Sequence, residues 1–180
     1  MGEERVVESR QVYQGRIVSL RVDRVVLPSG RETTREVVEH GDCVAVVPLD
    51  GEGNVILVRQ FRTPVGRELL ELPAGGIEAG ERPSQCARRE LVEETGYRAQ
   101  GMEPIGGFYA SPGYCTEFLH LFLATGLEPG PGAAMEDEFI DVVPVPLSEV
   151  AGLIESGQVQ DAKSVAGLLA LLRRLERGGA

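Results

Sequence analysis

Gly75-Gly76-Ile77-Glu78-Ala79-Gly80-Glu81 is followed, after seven residues, by Arg89-Glu90-Leu91-Val92-Glu93-Glu94-Thr95-Gly96-Tyr97. The second half predicts a helix over Pro83–Thr95. Pro83 suits its first turn, and Gly96 suits the position just past its end. On such a helix Glu90 lies three residues from Glu93 and four from Glu94, so the carboxylates share one face. Like charges at that spacing cost about 0.2–0.5 kcal/mol per pair, and the negative end of the helix dipole disfavours them further. Two readings follow. Arg88 and Arg89 balance Glu93 and Glu94 on a solvated helix, or the carboxylates face divalent cations, for which all-oxygen ligands indicate Mg²⁺ or Mn²⁺.

Outward from this stretch the chain reads as alternating strands and helices. Residues 14–28 alternate apolar and polar, Ser29-Gly30 makes a turn, and residues 31–39 run back, which predicts an antiparallel hairpin extended by residues 5–13. Residues 43–49, 55–60 and 69–72 are expected strands, as are 105–109, 118–124 and 139–145 after the helix. Residues 148–155 and 163–177 read as helices, the last with Val165, Leu168, Leu169, Leu171, Leu172 and Leu175 on an apolar face. Residues 127–137 read as a Gly/Pro-rich loop ending in acid. Mixed strands with helices on either side imply an α/β sandwich.

The 180 residues are 42% hydrophobic and 26% charged, ordinary for a chain that buries a core. The net charge of −10 argues against nucleic acid. No apolar run approaches the roughly 18 residues of a membrane span, so no membrane partner is expected and the chain is expected to be soluble and cytoplasmic. The acid is concentrated late: residues 1–62 carry nine basic and ten acidic groups, residues 63–180 nine against eighteen. Lys163 is the one lysine. Cys43, Cys86 and Cys115 show no zinc spacing and read as buried reduced thiols.

The spacing from Gly75 to Tyr97 resembles the Nudix box of the Nudix hydrolases, with Tyr97 where the family usually has an aliphatic residue. The resemblance implies an α/β/α sandwich with a mixed sheet over residues 42–180, preceded by a small N-terminal antiparallel β layer at 1–41. It implies an enzyme that hydrolyses nucleoside diphosphates linked to another group. Glu90, Glu93, Glu94 and the Ala74 carbonyl match positions that hold metal, here two or three Mg²⁺ (or Mn²⁺). Arg89 matches the arginine that orients the glutamates, and Gly75 lets the loop turn tightly beside the metals. Glu81 matches the first glutamate of the box, structural or a metal ligand.

Pro112, sixteen residues after Gly96, resembles the mark of the ADP-ribose pyrophosphatase subfamily, although Ser111-Pro112-Gly113 is also turn chemistry. Gly15, residues 34–40 and Arg59-Gln60-Phe61-Arg62 resemble the same subfamily, whose N-terminal layer crosses to a partner subunit. A homodimer is thereby implied, and a hairpin with so small an apolar face gains from docking on a second chain. Arg35 and Arg62 match nucleotide contacts, Glu71 the ribose–phosphate region, and Pro112 completes the substrate-binding set. The alternative for Arg35 is an ion pair with Glu36 or Glu39. The implied reaction converts ADP-ribose to AMP and ribose 5-phosphate, with Glu136, or else Glu138, as the loop base and Glu117 as a weaker metal contact. Other readings are a pyrophosphatase for another nucleotide sugar such as GDP-mannose, a non-catalytic ligand-binding domain, and a structural module.

Overall fold

The computed structural model describes residues 2–130 and 139–178, which fall into two compact units. The first comprises the chain through Asp42 together with Phe108–Phe118. Its strands β1 (Arg5–Gln14), β2 (Val18–Val26) and β3 (Glu32–His40) form an antiparallel meander in the order β1-β2-β3. β2 and β3 keep register from Val18↔His40 to Val26↔Glu32, whereas β1 shifts against β2 between Val6 and Glu8 and again between Gln11 and Tyr13. Such irregularities increase the local twist of an edge strand. The segment carrying Pro112 pairs with β3, Val38 N–H donating to Tyr114 O at 2.7 Å and Thr116 N–H to Val38 O at 3.0 Å. Inside this sheet Asp23 is 3% exposed. Ser9 Oγ donates to it at 2.6 Å and Arg21 Nε at 3.0 Å.

The second unit comprises Cys43–Gly107 and the chain from Leu119 onward. Strand β4 (Cys43–Pro48) is buried at all six positions, as expected of a strand covered on both faces. It lies in a four-stranded sheet ordered β7-β4-β9-β8, with β7 at Ala74–Gly76, β8 at Tyr97–Tyr109 and β9 at Phe118–Pro129. β4 runs parallel to β9 and antiparallel to β7. A second sheet places β5 (Asn54–Arg62) between β10 (Ile140–Pro146) and β6 (Arg67–Glu71).

Helix α1 (Pro83–Thr95) packs Cys86, Ala87 and Leu91 against Val44, Val46 and Phe122. Helix α3 (Ala162–Gly178) packs Leu168 and Leu171 with Val47, Leu57, Leu72 and Leu123. Alternate residues of β4 thus face different helices, the period of two expected of a strand. A mixed sheet between helices is the expected α/β sandwich. Each fully buried leucine of these layers contributes about 1.5–3 kcal/mol.

Several boundaries differ from expectation. β8 begins at Tyr97, directly after α1, and β9 continues to Pro129. The first residues of the expected 127–137 loop are therefore strand, because sheet pairing overrides the weak strand preference of Gly126 and Glu128. The helix expected at 148–155 opens as a 3₁₀ turn, Leu147–Glu149, before α2 (Val150–Glu155). Among the described residues no helix is long and apolar enough to cross a membrane.

Candidate active site

The site is built where β7 leads into α1. Pro83 opens the helix, and Gln85 Oε1 accepts the N–H of Arg82 at 3.1 Å. Gly96 closes it at φ 71°, a left-handed conformation that costs glycine little, and its N–H caps Val92 O at 2.9 Å. The last turn contains Glu93 and Glu94 and no basic residue.

Arg89 organises the carboxylates. Its NH1 donates to Glu90 Oε1 at 2.6 Å and to Glu93 Oε2 at 2.8 Å. Its Nε and NH2 each reach the Glu81 carboxylate at 3.1 Å, and NH2 also reaches Gly76 O at 3.1 Å. Arg89 is thus spread over three carboxylates while Glu94 stands on the same helix, its Oε2 accepting the Ala74 N–H at 3.0 Å. That bond fixes the Pro73–Ala74 peptide, the one preceding the Ala74 carbonyl. The hydrogen bonds from Arg89 outweigh burial and hold Glu81 well below its ordinary 4.5, at about 2. The same Glu81 bonds come first in raising Arg89. In this structure Glu81 is a buttress of Arg89, its Oε2 also accepting Glu78 N–H at 3.1 Å.

Gly75 explains how the buried Glu90, 8% exposed, is accommodated. A Cβ at this position would lie 2.0 Å from Glu90 Oε1 and 2.4 Å from Oε2. The missing side chain is the space the carboxylate occupies. Oxygen donors crowded beyond what one guanidinium neutralises fit a hard divalent cation. Cys86 lies under the loop, its thiol donating to Gly76 O at 3.3 Å. Burial pushes it up to about 12, so it stays protonated and is no nucleophile.

A second charged cluster adjoins this face. Glu71 is 1% exposed. Its Oε1 takes Arg62 Nε at 2.9 Å, and its Oε2 takes Arg62 NH2 at 2.7 Å together with Lys163 Nζ. Burial pushes this carboxyl up, but Arg62 and Lys163 outweigh it and hold it below its ordinary value. Arg62 is raised by its bonds to Glu71, and the charge of Glu94 also acts on it. Among the described residues this enclosed carboxylate is held by Arg62 and Lys163.

Residues 39–168 match the NUDIX domain family, and residues 4–38 the nucleoside diphosphate sugar hydrolase N-terminal domain. The chain belongs to the Nudix hydrolase family. A Bacillus subtilis ADP-ribose pyrophosphatase is 43% identical over 90% of this chain and 89% of its own. A Bacillus methanolicus methanol dehydrogenase activator is 41% identical over 91% and 89%. A Cronobacter sakazakii GDP-mannose pyrophosphatase is 38% identical over 81% and 78%. The crystal structure of an ADP compounds hydrolase matches with a TM-score of 0.91 at 22% identity, covering 99% of this chain and 97% of that one.

Within this Nudix chain the structure brings together Ala74, Gly75, Glu81, Arg89, Glu90, Glu93 and Glu94, with Arg62 and Glu71 alongside. Arg35 and Pro112 belong to the first unit. There Arg35 pairs with Glu4, Nε at 3.0 Å and NH2 at 2.6 Å, and not with Glu36 or Glu39, the alternative partners considered above. Glu117, in the same unit, has an oxygen 3.9 Å from His40 Nδ1. Glu136 and Glu138 lie outside the described residues. Arg88 does not balance the helix glutamates but donates to Ala99 O at 2.7 Å. Three residues not singled out as site candidates are Asp161, Lys163 and Ser164. Ser164 Oγ accepts the Leu72 N–H at 2.7 Å, so α3 holds the segment leading to Ala74. The one signal for them was the single lysine of the chain.

Proposed function

We propose that the chain hydrolyses the pyrophosphate of ADP-ribose to AMP and ribose 5-phosphate. Glu90 and Glu93 gathered by Arg89, with Glu94 on the same helix and Gly75 opening the space beside Glu90, carry this reading. The identity of 43% to an ADP-ribose pyrophosphatase across most of both chains supports the substrate. Those three glutamates and the Ala74 carbonyl would hold two or three Mg²⁺, with Mn²⁺ as a substitute. Bound there, the cations would polarise the phosphoryl oxygens and favour ionisation of the attacking water.

The chain's own residues do the remaining work. Arg89 fixes the orientation of Glu90 and Glu93, and Glu94 holds the Ala74 N–H. Arg62, gripped along one edge by Glu71, presents NH1, which has no hydrogen-bond partner among the described residues, to a substrate phosphate. Arg35 and Pro112, both in the first unit, are further substrate contacts in this reading. Glu136, or Glu138 in its place, takes the proton from the water or holds the water in line. The glutamates held here argue against a non-catalytic domain.

Residues 1–41 serve as a dimerisation layer ahead of a catalytic domain at 42–180, and the working unit is a cytoplasmic homodimer. Exposed Val6, Val12, Tyr13 and Ile17 on the N-terminal unit support a docked second copy. A second reading, hydrolysis of another nucleotide sugar, is supported by the GDP-mannose pyrophosphatase relative. Measuring kcat/KM with Mg²⁺ on ADP-ribose, GDP-mannose, NADH, coenzyme A and diadenosine polyphosphates separates them. ADP-ribose is expected to lead, and a clear preference for GDP-mannose would overturn the assignment.

A further inference from the structure

Lys163 lies outside the Nudix box, yet its side chain is only 14% exposed and touches two carboxylates. Its ammonium shares Glu71 Oε2 with Arg62 and donates to Asp161 Oδ2 at 2.9 Å. Asp161 Oδ2 also accepts the Ser164 N–H at 3.1 Å, capping α3. Asp161 Oδ1 is buried and has no hydrogen-bond partner among the described residues. The charge of Asp161 already acts on Arg62. Two largely buried carboxylates, Glu71 and Asp161, are therefore balanced by two cations, Arg62 and Lys163. Without Lys163, Asp161 would keep one unpartnered oxygen and lose its ammonium. A largely buried carboxylate left unpaired recruits a cation within reach, and Arg62, which shares Glu71 Oε2 with Lys163, is one already in its field.

We propose that Lys163 is a positioning residue for substrate binding: by satisfying Glu71 and Asp161 together, it prevents Arg62 from being drawn onto Asp161 and leaves its NH1 edge to the substrate. This inference rests on the reading of Arg62 as a phosphate contact. The ammonium touches no substrate; it acts through the guanidinium. Removing it impairs binding more than turnover, because the helix glutamates keep their own partners. Arginine in its place preserves the charge balance, and neutralising Asp161 removes the competitor.

The test combines kinetics with a substrate-free signal. On ADP-ribose with Mg²⁺, Lys163→Met is expected to raise KM by about tenfold, the loss of one charged hydrogen bond, with kcat within about twofold. Lys163→Arg, and the double variant Lys163→Met/Asp161→Asn, are expected to return KM close to wild type. In ¹⁵N-labelled protein the Arg62 Nε–H resonance, assigned with Arg62→Lys, is expected to move in Lys163→Met and return in the double variant. Lys163→Gln serves if the methionine variant does not fold. An unchanged KM, a loss confined to kcat, or a double variant as impaired as the single one overturns the proposal. A wild-type protein inactive on ADP-ribose overturns the substrate assignment instead. The Arg62 resonance then decides, and its failure to move overturns the positioning role.

Discussion

Gly75→Ala adds one carbon at the point where β7 meets α1, and its consequences can be worked from the structure. Gly75 is not among the glycines with positive φ, so alanine fits the backbone. Taken alone, the change would stabilise by about 0.4–1 kcal/mol through the unfolded chain. The new Cβ, however, lies 2.0 Å from Glu90 Oε1 and 2.1 Å from its carboxyl carbon, where ordinary contact begins at 3.4 Å. The carboxylate must therefore retreat by about 1.4 Å. Its 2.6 Å bond from Arg89 NH1 is lost in doing so. Overpacking of this kind costs about 1–3 kcal/mol, so a net destabilisation of about 1–2 kcal/mol is expected. Displacing one of the proposed oxygen ligands is expected to lower activity about 10- to 100-fold and to raise the Mg²⁺ concentration needed. Gly76→Ala is the matched control, because no atom lies within 4 Å of its added Cβ. Urea unfolding and turnover against Mg²⁺ measure both effects. Equal behaviour of the two variants, or wild-type Mg²⁺ dependence in Gly75→Ala, would refute the reasoning.

Glu81 is held at about 2 in the folded protein against an ordinary 4.5. A lowered pKa contributes stability above the ordinary value that is lost as pH falls through the folded value. Urea midpoints are therefore expected to decline between pH 4.5 and about 2, less steeply in Glu81→Gln; parallel profiles would remove Glu81 from the account. Glu136→Gln is expected to lower kcat with little change in KM, as follows for a carboxylate proposed to act in the transition state. A larger loss in Glu138→Gln would move the base by two residues. Deleting residues 1–40 is expected to weaken both assembly and ADP-ribose affinity, and light scattering showing an active full-length monomer would contradict this.

Helix α1 was legible because its ends carry their own chemistry, Pro83 at the start and the left-handed Gly96 after it. The role of Gly75 was legible only as a tight turn; that it makes room for Glu90 depends on packing between residues fifteen apart. The early start of β8 was hidden because residues 97–104 mix Arg98, Gln100, Gly101, Glu103 and Pro104, a composition that strand preference alone rejects. Neighbouring β9 supplies the pairing that propensity lacks. The Glu71–Lys163 contact joins residues 92 apart, a separation no local pattern records. Lys163 was visible as an oddity of composition, but its partner was visible only in three dimensions.

Glu94→Gln tests the central claim most directly, that the α1 glutamates hold the divalent ions for pyrophosphate hydrolysis. Glutamine keeps an oxygen for the Ala74 N–H, bonded at 3.0 Å in the native protein, so the fold is expected to survive. The charge is lost. Release of AMP from ADP-ribose, followed across a Mg²⁺ titration, is expected to fall at least about 100-fold in this variant, with an unchanged circular dichroism spectrum. Near wild-type release of AMP by a folded Glu94→Gln protein would contradict the account.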